Sequence, residues 1–227
     1  MPHTGLFVTL AALSCLGCGA TLAADPRTAP AEIGDDGLQR VEVRGLDKVY
    51  ARPGINLAVY NKVMLAPIDV AFSRNWKPEV IGTHRPIPVA ERQRIKDGLA
   101  KVLREEFSRE LQHNGHYQIV DAPADDVLQV NASIVDLYIN APDTMSPGMN
   151  RSYTLSTGEM TLRAELRDST SGQLLARVVD HWRDPDSTWL QLTTDVENAA
   201  AARDAATKWA RILRSQLDAA RAIGRKS

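Results

Sequence analysis

GEMTLRAELRDSTSGQLLARVVD, residues 158–180, is the stretch on which the fold turns. Met160, Leu162, Ala164 and Leu166 alternate with Thr161, Arg163, Glu165 and Arg167, the two-residue period of a strand with one buried face. Asp168-Ser169-Thr170-Ser171-Gly172 is rich in turn-forming side chains, and Leu174, Ala176 and Val178 then restore the alternation. The segment reads as a β-hairpin.

Working upstream, Leu128, Val130, Ala132 and Ile134 repeat the period, after which the apolar phase moves to Val135, Leu137 and Ile139. A strand cannot exchange faces without an extra residue, so a bulge is expected near Ile134 and Val135. VMLAPIDVAF, residues 63–72, is rich in β-formers but carries Pro67, which has no N–H for a ladder. It reads as a strand bulged or placed at an edge there. Residues 38–49 could hold a further short strand.

Between these strands the period lengthens. Ile95, Leu99, Val102, Leu103, Phe107 and Leu111 recur at three and four residues and predict a helix over 89–112, stopped by Asn114-Gly115. A second helix is expected over 195–221. Thr194 and Glu197 have the spacing of a capping box, and Ala199, Ala202, Ala206, Trp209, Leu213, Leu217 and Ala220 form a stripe. The order predicts an α+β domain: an antiparallel sheet of about four to five strands with two helices packed on one face.

The N-terminus points to export. The first charged side chain is Asp25, and before it an apolar run from Leu6 to Leu16 is too short to span a bilayer, which takes about 20 residues. Both cysteines, Cys15 and Cys18, close this run, and Gly17 supplies the small residue expected before a lipid-modified cysteine. The division expected is a signal peptide over 1–17, a lipid-anchor cysteine and flexible tether over 18–37, and a single α+β domain over 38–227. Cleavage before Cys15 or after Ala23 are the alternatives. Residues 24–37 are rich in Pro, Ala, Gly and acids and lack an apolar period, as a tether would.

Composition narrows the partners. The net charge is −1 and aromatics make up 5% of the chain, so nothing in it attracts nucleic acid. No Gly-x-Gly-x-x-Gly, P-loop or Gly-x-Ser-x-Gly motif is present, and no cofactor is implied. His113 and His116 have a metal-like spacing but lack a nearby Cys or acid to complete a set, so no metal site is expected. Asp180-His181-Trp182-Arg183-Asp184 gathers acid-base side chains, yet neighbours on a strand point to opposite faces, so Asp180 and His181 cannot readily form a dyad. No catalytic residue is therefore assigned. The side chains suited to a partner are Trp76, Met145, Met149, Trp182 and Trp189, since aromatics and adaptable methionines anchor interfaces.

Residues 63–72, 117–137 and 158–180, together with the helix ending at Leu111, resemble a bacterial domain-of-unknown-function family of Gram-negative envelope lipoproteins, number thirty-three thirteen. The resemblance covers about residues 38–222. It implies a lipid anchored at Cys18 and an outer-membrane location facing the periplasm, and it brings no activity, cofactor or catalytic residue. The expectation is a non-catalytic interaction or accessory module with an envelope protein partner. The rivals are a periplasmic small-ligand carrier and a hydrolase using Asp180 or His181, and the alternative location is soluble periplasmic or secreted.

Overall fold

The computed structural model describes residues 36–76, 79–80, 85–140, 156–183 and 195–224. All of them fall within one compact unit, Glu32–Ser227. The strands are β1 (Gln39–Val41), β2 (Lys48–Ala51), β3 (Lys62–Leu65), β4 (Asp69–Phe72), β5 (Glu79–Val80), β6 (Arg85–Pro86), β7 (Gln118–Ile119), β8 (Val127–Asn140), β9 (Ser156–Asp168) and β10 (Leu174–Arg183), and the helices are α1 (Val89–Gln112) and α2 (Asp195–Gly224).

Eight strands form one sheet in the order β1-β2-β10-β9-β8-β3-β7, with β4 also paired to β8, while β5 and β6 make a separate two-stranded ribbon. The sheet thus corrects the expectation of four to five antiparallel strands in both number and direction. The hairpin β9–β10 and the pairs β8–β9, β10–β2 and β1–β2 are antiparallel. β3 and β4 run parallel to β8, and β3 runs parallel to β7. The cause is the position of α1 between β4 and β8: a strand reached through a helix on one face returns in the same direction as the strand before it. The additional strands are two to four residues long, too short to show a period in sequence.

Pro67 splits the apolar stretch into β3 and β4, which lie end to end along β8. The ladder resumes on each side of it, with Lys62 to Leu65 opposite Val127 to Val130 and Asp69 opposite Ser133. The expected bulge falls at Asp136, which has φ 55°, and the pairing with β9 moves from Val135 opposite Thr161 to Tyr138 opposite Glu159. That extra residue returns Leu137 to the face already occupied by Ile134.

Both helices cover this face. Leu99, Leu103, Phe107 and Leu111 from α1 and Ala202, Ala205, Ala206, Trp209 and Leu217 from α2 join Val63, Leu128, Val130, Ile134, Leu137, Met160 and Leu162 in one core. The alanines let α2 lie close to its neighbours, and Trp209 fills the remaining volume. Two carboxylates, Glu106 and Glu110, are buried in the seam between the helices. Glu106 accepts from Arg109 and from Thr207 Oγ1, and Glu110 pairs with Arg211 and Arg214, each at 3.2 Å. α1 ends where Asn114 adopts φ 59°, the left-handed conformation that Asn tolerates better than most residues. The residues of the expected capping box of α2 lie outside those whose side chains are described.

Candidate functional site

The strand geometry divides the acid-base cluster at the end of β10. Asp180 points under the helices and is 1% exposed. One oxygen accepts the Asp47 backbone N–H at 3.0 Å; the other accepts Trp209 Nε1 at 2.7 Å and Lys208 Nζ at 2.9 Å. A carboxylate placed in an apolar core needs this many partners to offset its desolvation. His181 lies on the opposite face, where Nδ1 is 3.2 Å from Thr161 Oγ1 and Nε2 is 3.9 Å from Glu159. Its backbone N–H donates to Asp47 Oδ2 at 2.8 Å, so Asp47 grips both residues of the pair without joining their side chains.

Aromatic side chains gather at the same end of the sheet. Phe72 of β4 is paired with Leu137 of β8, and Trp76 stacks on Phe72 with centroids 4.0 Å apart and planes 7° apart. Lys96 Nζ lies 5.7 Å from the other ring's centroid, over Phe72. Two strands across, Trp182 is paired with the fully buried Met160. Trp76 and Trp182 are both half-buried against the core, while Tyr138 is 43% exposed. The structure therefore brings two of the five expected partner-binding residues to one end of the sheet. Met145, Met149 and Trp189 lie outside the described residues, as does Cys18, the residue expected to carry a lipid.

The histidines are also separated. His113 ends α1 exposed, whereas His116 Nδ1 is 3.1 Å from Asp218 Oδ1, which also accepts Tyr117 Oη at 3.0 Å. Arg221 lies 4.2 Å from the Tyr117 ring centroid. Burial and then the Asp218 hydrogen bond push the Tyr117 phenol above its usual range. Tyr60 is pushed to about 12, by burial first and by Asp168 second. Among the described residues no three His, Cys, Asp or Glu side chains are grouped to hold a metal.

The face away from the helices is ionic. Glu165 is gripped by Arg167 at 2.7 Å and Arg177 at 3.3 Å, Arg177 also binds Asp36 at 2.6 Å, and Glu159 pairs with Arg183. Burial alone would raise the Glu165 carboxyl, but its two arginines outweigh this and hold it below its usual value. Asp168, at the hairpin turn, is lowered by the backbone N–H of Ser171 first and by the Ser171 hydroxyl second.

The family described as "Protein of unknown function (DUF3313)" matches residues 32–213. The chain belongs to this family. No curated protein matches it. Among solved structures, similarity extends to a Xanthomonas campestris protein of family DUF330, with 14% identity, 78% of this chain and 95% of that chain covered, and a TM-score of 0.40. It extends as well to the PelC dodecamer from Paraburkholderia phytofirmans, at 10% identity, 70% and 94% coverage and a TM-score of 0.35. A candidate lipoprotein from Caulobacter crescentus has 15% identity, 76% and 95% coverage and a TM-score of 0.32.

Asp47, Lys208 and Trp209 Nε1 are the members of the Asp180 cluster that the sequence did not bring forward. Trp209 was visible only as an apolar member of the α2 stripe. Asp47 stands in an irregular segment 133 residues from its partner, and no local pattern marks it.

Proposed function

We propose that this member of the DUF3313 family is an exported, lipid-anchored module of the cell envelope that acts by holding a protein partner rather than by catalysis. The observation that carries the non-catalytic reading is the commitment of Asp180. Its two oxygens are occupied by three donors inside the core, and the neighbouring imidazole is on the other face. An acid or base must reach a substrate proton, and Asp180 at 1% exposure reaches none.

Cys18 is the proposed lipid-bearing residue, with residues 18–37 as the tether and the outer membrane as destination. No helix among the described residues is long and apolar enough to cross a membrane, so attachment rests on the modified cysteine. Trp76 and Trp182, both partly buried against the core, give a partner an aromatic rim at one end of the sheet.

The test is fractionation of cells expressing the unaltered protein, Cys15→Ala and Cys18→Ala, with mass spectrometry of the mature N-terminus. Release of the Cys18→Ala protein alone, and a diacylated or triacylated Cys18 in the unaltered one, is expected. A soluble protein beginning at Ala24 would overturn the anchor. Crosslinking in intact cells should capture a protein that is lost when Trp76 and Trp182 are replaced by Ala. Recovery of the same protein in equal yield would overturn the aromatic rim.

A further inference from the structure

Strand register sets a row of side chains across the open face of the sheet. Ser133 of β8 is opposite Arg163 of β9, Arg163 is opposite Val179 of β10, and Val179 is opposite Lys48 of β2. Neighbouring strands lie about 4.8 Å apart, so Arg163 and Lys48 stand about 10 Å apart with the half-buried Val179 between them. Both cations are exposed, and neither side chain has a hydrogen-bond or ion-pair partner among the described residues.

The carboxylates nearest to them are committed elsewhere. Glu165 is held by Arg167 and Arg177, Glu159 by Arg183, and Asp47 Oδ2 accepts the His181 N–H. Asp69, opposite Ser133 at the far end of the row, is separated from Arg163 by β8. The positive excess is therefore local to the part of the row that crosses β9, β10 and β2. A second observation shows which group this surface takes. Asp36 reaches the open face from the irregular chain before β1, and its carboxylate lies 2.6 Å from Arg177, two residues along β10 from Val179. That guanidinium already serves Glu165 and still holds a second carboxylate.

We propose that Arg163 and Lys48 dock an acidic segment of a partner protein, in which carboxylates two residues before and two residues after an apolar side chain bind the cations while that side chain covers Val179. The inference rests on the reading of the domain as a module that holds a protein partner. An extended chain laid across the strands turns residues i, i+2 and i+4 toward the sheet over about 13 Å, and the long stems of Arg163 and Lys48 take up the difference. An isolated phosphate would leave Val179 uncovered. Charge complementarity of this exposed kind selects a partner and weakens with salt.

The full chain, labelled with ¹⁵N, is titrated at low salt with the peptide Glu-Ser-Leu-Ser-Glu capped at both ends, with its counterpart carrying Gln for both Glu, and with inorganic phosphate. Saturable shifts are expected at the amides of Lys48, Arg163 and Val179 at millimolar peptide. The Gln peptide should bind about fivefold or more weaker, as should the acidic peptide to the Arg163→Gln, Lys48→Gln double variant at an unchanged melting temperature. Absence of saturable shifts, equal binding of the Gln peptide, full affinity in the folded double variant, or phosphate matching the peptide would each overturn the proposal. Crosslinking in intact cells separates it from the reading on which it rests. A protein captured equally by the unaltered chain and the double variant overturns the docking row and leaves the module in place. Peptide binding with no protein captured in cells supports the row and counts against the module.

Discussion

Under the helices, Val130, Ala132 and Ile134 of β8 face Leu166, Ala164 and Leu162 of β9 in a dry layer. One residue along, on the open side, Asn131, Ser133 and Val135 face Glu165, Arg163 and Thr161. Each face includes charged groups, but they have different consequences. Asp180 on the covered side is 1% exposed and depends on every donor it has. The carboxylates on the open side share water with their arginines, so each interaction there is replaceable. Charge on this sheet matters to stability in proportion to how little water reaches it.

The largest effect that can break this comparison is at Asp180. Asp180→Ala leaves the Trp209 indole N–H, the Asp47 amide and Lys208 without their acceptor, and should cost about 3–5 kcal/mol in urea unfolding. A loss below about 1 kcal/mol would put Asp180 in the same class as the open-face acids. Trp209→Phe tests the same cluster from the donor side. It removes one hydrogen bond and part of a buried ring, and a loss of about 1–3 kcal/mol in the same measurement is expected.

Glu165→Gln on the open face should change stability by less than about 1 kcal/mol and should do so less in high salt than in low salt. The smallest effect is a pH dependence at Asp168. Its carboxyl is held below the unfolded value of about 3.9, so the folded state binds fewer protons and stability falls as acid is added from that value downward. Asp168→Asn should flatten the urea midpoint below about pH 4 and leave its slope with pH unaltered between about pH 5 and 7.

Much of this architecture was legible because long elements repeat their period many times. The hairpin, the bulge in β8 and the bounds of α1 were all present in the spacing of apolar residues, and Pro67 marked the break between β3 and β4. Strand direction was not, although the helix between β4 and β8 already dictated it. β1 falls within residues 38–49, where a short strand was expected, but β2 and β7 were illegible because two to four residues hold no period and their pairing partners are distant in sequence. At the candidate sites, alternation alone separated Asp180 from His181. It could not reveal Asp47, whose partner Asp180 lies 133 residues away. Glu106 and Glu110 carry no local mark of burial, because the partners that cover them, Thr207, Arg211 and Arg214, stand about 100 residues away on α2.

The grip of Asp47 on β10 also bears on self-association. β2 pairs with β10 only from Ala176 to Val179, so the outer border of the strand beyond that point is uncovered by any ladder. Exposed borders of this kind recruit strands from other molecules and seed aggregates. Here the first outward amide, that of His181, is already taken by a carboxylate from the same chain. The edge strands β1, β7 and β4 offer only three, two and four residues. A molecule crowded beside its own copies would thus present few places where a neighbour could extend its sheet.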